Sequence, residues 1–245
     1  MPSLLIVIAT FNEVDNLPVL VSAIFDLLPE SKVLVIDDDS PDGTGQWCDE
    51  YRQREPRLEV IHRKGERGLG TATLAGLQRA MHGGFDLIAT MDADLSHDPA
   101  DLLLMLKRIK EDKTGKLGLV IGSRYVPGGR IMGWSWYRRL ASKLVNGYVR
   151  LVLGLESHDN TSAFRVYRAN ALRRIELSDV VSKGYAYLEE LLWRLQTARV
   201  KMAEVPIVFE DRKRGESKVR TAVLLSSLWQ ILMLSFRNLI NQSKG

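Results

Sequence analysis

The chain has 245 residues, 45% of them apolar, with a single cysteine and a formal net charge of +4. That length and apolar share are enough for a sizeable core. The lone Cys48 excludes an internal disulfide framework, and His62, His82, His97 and His158 lack zinc-ligand spacing. The positive balance fits an anionic partner without choosing among nucleic acid, a phospholipid surface and a phosphorylated substrate.

In chain order, the apolar run Leu4 to Ala9 lacks a basic leader and leads into Phe11-Asn12-Glu13, so it reads as a first strand and not an export signal. Leu17, Leu20, Val21, Ile24, Leu27 and Leu28 then form the stripe of an amphipathic helix that Pro29 closes. Further apolar runs at Val33 to Ile36, Leu58 to Ile61, Leu87 to Met91 and Leu117 to Ile121 alternate with helical patterns. One such helix opens at Gly68-Leu69-Gly70 and another at Asp98-Pro99. This alternation predicts an α/β fold, a mostly parallel central sheet flanked by helices. Beyond Ile121, Val126-Pro127-Gly128-Gly129 reads as a flexible turn leading to Trp134, Trp136 and Tyr137 among Arg130, Arg138 and Arg139, an expected acceptor-side loop. The longest uncharged stretch, Thr221 to Phe236, is shorter than the roughly 20 residues of a membrane-spanning helix, so no transmembrane span is expected.

Chemistry concentrates at the predicted strand ends. Asp92-Ala93-Asp94-Leu95 follows the fourth apolar run, and strand alternation would turn both carboxylates to one side, where they could share a hard divalent cation carrying a diphosphate. Asp37-Asp38-Asp39-Ser40-Pro41-Asp42-Gly43 closes the second strand, where ligands gather in open α/β sheets. One of these acids should read a nucleotide while others build a turn and helix cap. Gly68-x-Gly70 lacks the third glycine of a dinucleotide fingerprint, and no Lys-Thr or Lys-Ser follows for a phosphate loop.

Five segments in order resemble the dolichol-phosphate mannosyltransferases, family 2 glycosyltransferases of GT-A fold: Ala9-Thr10-Phe11-Asn12-Glu13, Asp37 to Thr44, Asp92 to His97, Gly122-Ser123-Arg124-Tyr125, and Asp211-Arg212-x-x-Gly215-Glu216-Ser217-Lys218. The match covers roughly residues 4 to 220, and ordered motifs are far more specific than any one alone. The resemblance implies inverting transfer of mannose from GDP-mannose to a polyprenyl (dolichyl) monophosphate with Mg²⁺ or Mn²⁺. It places Ala9, Phe11, Glu13, Ile36 and Asp38 at the guanosine, and Asp92, Ala93, Asp94 and Ser96 at metal and diphosphate. Asp92, Asp94 and Ser96 would be the metal ligands. Arg124, Arg138 and Ser142 would grip the acceptor phosphate, with Asp94 beside them as the catalytic set; Arg124 also counts among the donor contacts. Lys183, Arg212 and Lys218 would close over the donor diphosphate. Some relatives carry glutamine at the position of Ser96, and most carry glycine at that of Ala163; a serine hydroxyl is shorter and would reach an ion through water.

A phosphate monoester, with its second pKa near ~6, is already largely a dianion at neutral pH, so such an acceptor needs no strong base. The alternatives are another hexose, such as glucose from UDP-glucose, on the same lipid phosphate, and a polysaccharide-building enzyme with Glu189 or Glu190 as base. Against that base, the Leu188-Leu191-Leu192-Leu195 face would pack and leave the glutamates to solvent or Arg194. His97 is read as capping the Asp98-Pro99 turn, and Cys48, Trp47 and Trp193 as core or helix-surface residues. Residues 1–220 are expected to form the catalytic domain and 221–245 an amphipathic helix facing a membrane or partner. Trp134, Trp136 and Val223 to Leu234 combine apolar and cationic character suited to a bilayer surface. The expected location is cytoplasmic, peripheral on the membrane face, with an integral membrane partner as a further candidate. Nucleic acid is not expected as a partner, since the acidic strand ends would go unexplained and no binding module is present.

Overall fold

The computed structural model describes residues 2–211 and 226–235. Arg212, Lys218 and most of the anticipated terminal helix over 221–245 lie outside the described residues.

Strands β1 (Leu4–Thr10), β2 (Lys32–Asp37), β3 (Leu58–His62), β4 (Leu87–Thr90) and β5 (Leu117–Ser123) coincide with the five apolar runs of the sequence. Between them come α1 (Leu17–Leu27), α2 (Thr44–Tyr51), α3 (Leu69–His82) and α4 (Asp101–Glu111). The strands read as continuous apolar runs because both faces are covered. In β1, Leu5 and Val7 point into the core shared with α3, while Leu4, Ile6 and Ile8 point into the core shared with α1 and α4.

The second half holds β6 (Arg130–Met132), α5 (Trp136–Leu153), β7 (Arg165–Arg168), α6 (Ala169–Leu172), α7 (Tyr187–Thr197), β8 (Lys201–Pro206) and β9 (Val208–Glu210). The main sheet runs β3-β2-β1-β4-β7-β5-β8, and β6 pairs with β9 in a small second sheet. All neighbours in the main sheet are parallel except β7, which is antiparallel to both β4 and β5. The expectation of a mostly parallel sheet therefore holds, with one inserted strand that reverses direction.

Two readings are corrected. The segment expected as a loop up to Arg139 contains β6 and the start of α5, so Trp136, Tyr137, Arg138 and Arg139 belong to a helix. The helix after Asp98-Pro99 begins at Asp101, because Asp98 first closes a turn by accepting from the Ala100 N–H at 2.9 Å. Residues 226–235 are helical, and Ile231 and Leu234 join the core beneath α5 and α7, so this stretch packs on the catalytic domain. No helix among the described residues is long and apolar enough to cross a membrane.

Candidate active site

Because β1 lies between β2 and β4, the chain leaves its C-terminal end in opposite directions, and the crevice opened there is where ligands enter such sheets. A cleft of about 690 Å³ occupies that place. It runs from the ends of β1 and β2, past the Asp92–Ser96 turn after β4, to Arg124 after β5 and the inner face of α5.

At the first end the three consecutive aspartates separate by role. Asp37 is buried and accepts from Thr10 Oγ1, Ser40 N and Ser40 Oγ, so it holds the turn together. Asp39 takes a left-handed backbone at φ 55°, and Asp42 accepts from the Thr44 and Val14 N–H groups, capping α2. Asp38 alone reaches the cleft, with Ala9, Phe11 and Glu13 beside it. Its carboxylate accepts from Gly68 N–H at 2.7 Å and lies 3.2 Å from Arg63 Nε. Burial raises its pKa, and the Gly68 N–H and Arg63 offset part of that rise. Arg67 stacks on Phe11 with its guanidinium 4.5 Å from the ring centroid, forming an aromatic-cation wall suited to a flat ring. Gly68, at φ 149°, thus serves the cleft with a backbone donor and not as part of a dinucleotide fingerprint.

In the middle, β4 ends at Thr90, and a turn with Leu95 at φ 61° carries Asp92, Ala93, Asp94 and Ser96 into the cleft wall. The acidic pair is therefore set by a turn, and the expected strand alternation does not apply because the strand has already stopped. Ser96 Oγ donates to Asp94 Oδ1 at 2.6 Å, and Ser96 N to the same oxygen at 3.1 Å, which fixes the carboxylate's direction. Among the described residues no group of three or more His, Cys, Asp or Glu side chains stands close enough to enclose an ion. Two carboxylates with room for phosphate oxygens and water is nevertheless the donor set that Mg²⁺ or Mn²⁺ takes in nucleotide sites, so these residues fit such an ion. His97 does not cap the following turn. It is buried, tilted against Phe164 at 4.9 Å and edge-on to Phe209 at 5.4 Å between ring centroids, and burial lowers its pKa to about 4, so it is a neutral packing residue in the cleft wall.

The far end is cationic. Arg124 is buried and donates through Nε and Nη2 to Asp159 at 2.8 and 2.7 Å, and through Nη2 to Thr161 Oγ1 at 2.7 Å. Desolvation opposes its charge, but the Asp159 carboxylate outweighs it and raises the pKa, so the guanidinium stays charged. Arg138 pairs with Asp211 at 2.9 Å and lies 4.1 Å above the Trp134 ring. Ser142 accepts from Tyr125 Oη at 2.6 Å. All three line the cleft, whereas Arg139 is exposed on α5 and does not. Beyond the bonds that Nε and Nη2 make, Arg124 Nη1 could donate to a phosphate oxygen, as could the Arg138 guanidinium.

The structure thus brings together Ala9, Phe11, Glu13, Asp38, Asp92, Ala93, Asp94, Ser96, Arg124, Arg138 and Ser142. It does not bring Ile36, whose side chain shares the face of Ala9 but is fully buried beneath α3, where Gly76 packs against it. Lys183 is exposed outside the wall; its N–H donates to Gln230 Oε1 at 2.8 Å, while neighbouring Gly184 and Tyr185 reach the cleft. Glu190 accepts from Val181 and Ser182 N–H and from Arg194 Nε, which makes it a buried structural clamp and not a solvent-facing group. Glu189, expected to face solvent, is buried in the cleft wall. Sequence reasoning assigned no role to Arg67, Asp159, Thr161 or Phe209, while Trp134, expected in the acceptor-side loop, lines the cleft.

An open α/β sheet with paired acids at one strand end and arginines at another, around one cleft, is compatible with a glycosyltransferase. Residues 5–176 match the Glycosyl transferase family 2 model, and the chain belongs to that family. It is 38% identical over 242 residues to the polyprenol monophosphomannose synthase of Mycolicibacterium smegmatis, covering 98% of this chain and 90% of that protein. It is 40% identical over 220 residues to the undecaprenyl-phosphate mannosyltransferase of Micrococcus luteus, covering 90% of this chain and 88% of that protein. Among solved structures, glucosyl-3-phosphoglycerate synthase of Mycobacterium tuberculosis with Mn²⁺ and UDP-glucose aligns at TM-score 0.66 and 17% identity, over 96% of this chain and 78% of that one. That likeness establishes the GT-A fold.

Proposed function

We propose that this protein transfers mannose from GDP-mannose to a polyprenyl monophosphate with inversion, giving polyprenyl β-mannosyl phosphate. The observation that carries the reading is the division of one cleft between an acidic turn after β4 and the Arg124–Arg138–Ser142 cluster, with β7 between them. The mannosyl and polyprenyl specificity is supported by what the two curated relatives are named for. Asp38, in the same cleft end as the stacked Phe11–Arg67 pair, suits a guanine ring whose N–H groups donate to a carboxylate.

Asp92 and Asp94 would hold Mg²⁺ or Mn²⁺, and the bound ion would supply charge neutralisation for the departing GDP. Ser96 keeps Asp94 aimed through the 2.6 Å hydrogen bond. Arg124, held rigid by Asp159 and Thr161, binds the acceptor phosphate and sets its oxyanion facing the donor across β7. Arg138 and Ser142 orient the same phosphate. An acceptor approaching from the side opposite the leaving group gives inversion, and the reaction is positioning plus electrostatics.

A peripheral membrane site suits the lipid acceptor. No acidic residue stands between Asp112 and Glu156, while α5 carries Arg138, Arg139, Lys143 and Arg150. Trp136, Leu140, Leu144 and Leu151 share its exposed face, and its inner face contributes Ala141, Ser142 and Val145 to the cleft. One helix would then touch both bilayer and acceptor. A second reading, transfer to a sugar hydroxyl with Glu189 as base, is favoured by the burial of that carboxyl in the cleft.

The test is incubation with labelled GDP-mannose, UDP-glucose and other nucleotide sugars, polyprenyl phosphate and Mn²⁺. Label from GDP-mannose should become extractable into organic solvent. Retention of every label in the aqueous phase would sink the proposal.

A further inference from the structure

Glu189 lies in the first turn of α7, 3% exposed, in the wall of the cleft, and its Oε2 meets no hydrogen-bond partner among the described residues. An orphaned buried carboxyl oxygen costs free energy unless a ligand satisfies it. Its position is fixed by Arg165, which is fully buried at the start of β7 and donates through Nη1 to the Leu188 carbonyl at 2.9 Å and through Nη2 to the Asn160 carbonyl at 2.9 Å.

The register locates Glu189 within the reaction. Arg165 pairs with Thr90 of β4 on one side and Ile121 of β5 on the other. Asp92 stands two residues beyond Thr90, and Arg124 three residues beyond Ile121. Glu189 is thus anchored over the strand that separates the diphosphate end from the acceptor-phosphate end. On the glycosyl-transfer reading, a hexose passing between the two phosphates would cross that interval.

We propose that the Glu189 carboxyl is a sugar-binding residue, which exchanges hydrogen bonds with a hydroxyl of the donor hexose and abstracts no proton from the acceptor. A phosphate acceptor brings no proton that must be removed, so a base here would have nothing to do. Burial pushes the carboxyl up to about 7, with its own backbone N–H and Arg165 of β7 offsetting part of the rise and Asp159, from the loop after α5, adding to it. Near neutrality the group therefore exists in both forms, and the protonated form donates as well as accepts, which matches the two-way hydrogen bonding of a hydroxyl.

This inference rests on the glycosyl-transfer reading, and the two fail differently. A wild-type protein that moves no sugar to polyprenyl phosphate ends that reading, while the present inference is judged on variants of an active enzyme. Glu189→Gln keeps the shape and the paired donor and acceptor, so kcat/KM should stay within about tenfold of wild type, the range of one or two neutral hydrogen bonds. Glu189→Ala should lose roughly 10²-fold through misplacement of the sugar. Calorimetry should show weaker GDP-mannose binding by Glu189→Ala with GDP binding unmoved, which a merely structural role would not produce. In a series of deoxy donors, the hydroxyl that Glu189 reads should be the one whose removal costs wild type but costs Glu189→Ala nothing further. Glu189→Gln as inactive as Glu189→Ala would restore the base, whose loss is worth roughly 10² to 10⁴. Equal weakening of GDP and GDP-mannose, or no coupling at any hydroxyl, would equally overturn the proposal.

Discussion

Asp94 and Arg124 show how single side chains are aimed by their hydrogen-bond partners. Ser96 holds the Asp94 carboxylate, and Asp159 holds the Arg124 fork. Asp94→Ala should cost ~10² to 10³ in kcat, by comparison with the removal of one preorganised electrostatic group. Near-normal turnover in saturating Mn²⁺ would exclude the role. Asp159→Ala leaves a buried guanidinium without its carboxylate, so stability should fall by about 3–5 kcal/mol, read from urea midpoints. Glu189 gives a pH signature. Its folded pKa of about 7 lies above the ordinary carboxyl value of ~4.3, so between those values the folded state binds more protons than the unfolded. Stability from this group is therefore full below ~4.3 and is lost as pH rises through 7. The melting temperature of Glu189→Gln should rise relative to wild type between pH 5 and pH 8. A constant difference would show that the carboxyl titrates normally.

At the scale of elements, the helices that carry the site sit unusually close to the sheet where glycine allows it. A Cβ built on Gly76 of α3 would lie 2.3 Å from Val7 Cγ1 of β1 and 3.1 Å from Ile36 Cγ1 of β2. Gly76→Ala should therefore destabilise by about 1–3 kcal/mol through overpacking, measurable by denaturant titration. An unchanged midpoint would mean that α3 can shift without cost. The same closeness lets Gly68 bring its N–H to Asp38. Strands β1, β2, β4 and β5 were legible because burial on both faces writes a near-continuous apolar run, and β3 at the edge because Leu58, Val60 and Ile61 still outweigh Glu59. Strand β7 was not, since only Val166 and Tyr167 lie between two arginines whose charges are satisfied by carbonyl oxygens from other segments. Strand β8, half-buried at the sheet edge, has no continuous apolar signal either.

For the whole molecule, a cleft whose acceptor end adjoins an acid-free, tryptophan-bearing helix predicts binding to anionic vesicles that weakens with salt. Charge reversal at Arg139 and Lys143, both exposed on α5 and outside the cleft wall, should reduce that binding by about 1 kcal/mol per charge removed from the surface. Vesicle sedimentation that ignores both salt and these substitutions would place the membrane contact elsewhere. The sequence by itself determined the layered α/β core, the acidic and cationic motifs and their order, because periodicity and local spacing survive in one dimension. Only the tertiary structure decided that Asp38 and not its neighbours faces the cleft, that Arg138 and not Arg139 does, that α3 covers Ile36, and that Glu190 is a clamp while Glu189 is in the wall. Each of those choices turns on which way a side chain points once a turn or helix is packed against the rest, and that direction is fixed by contacts distant along the chain.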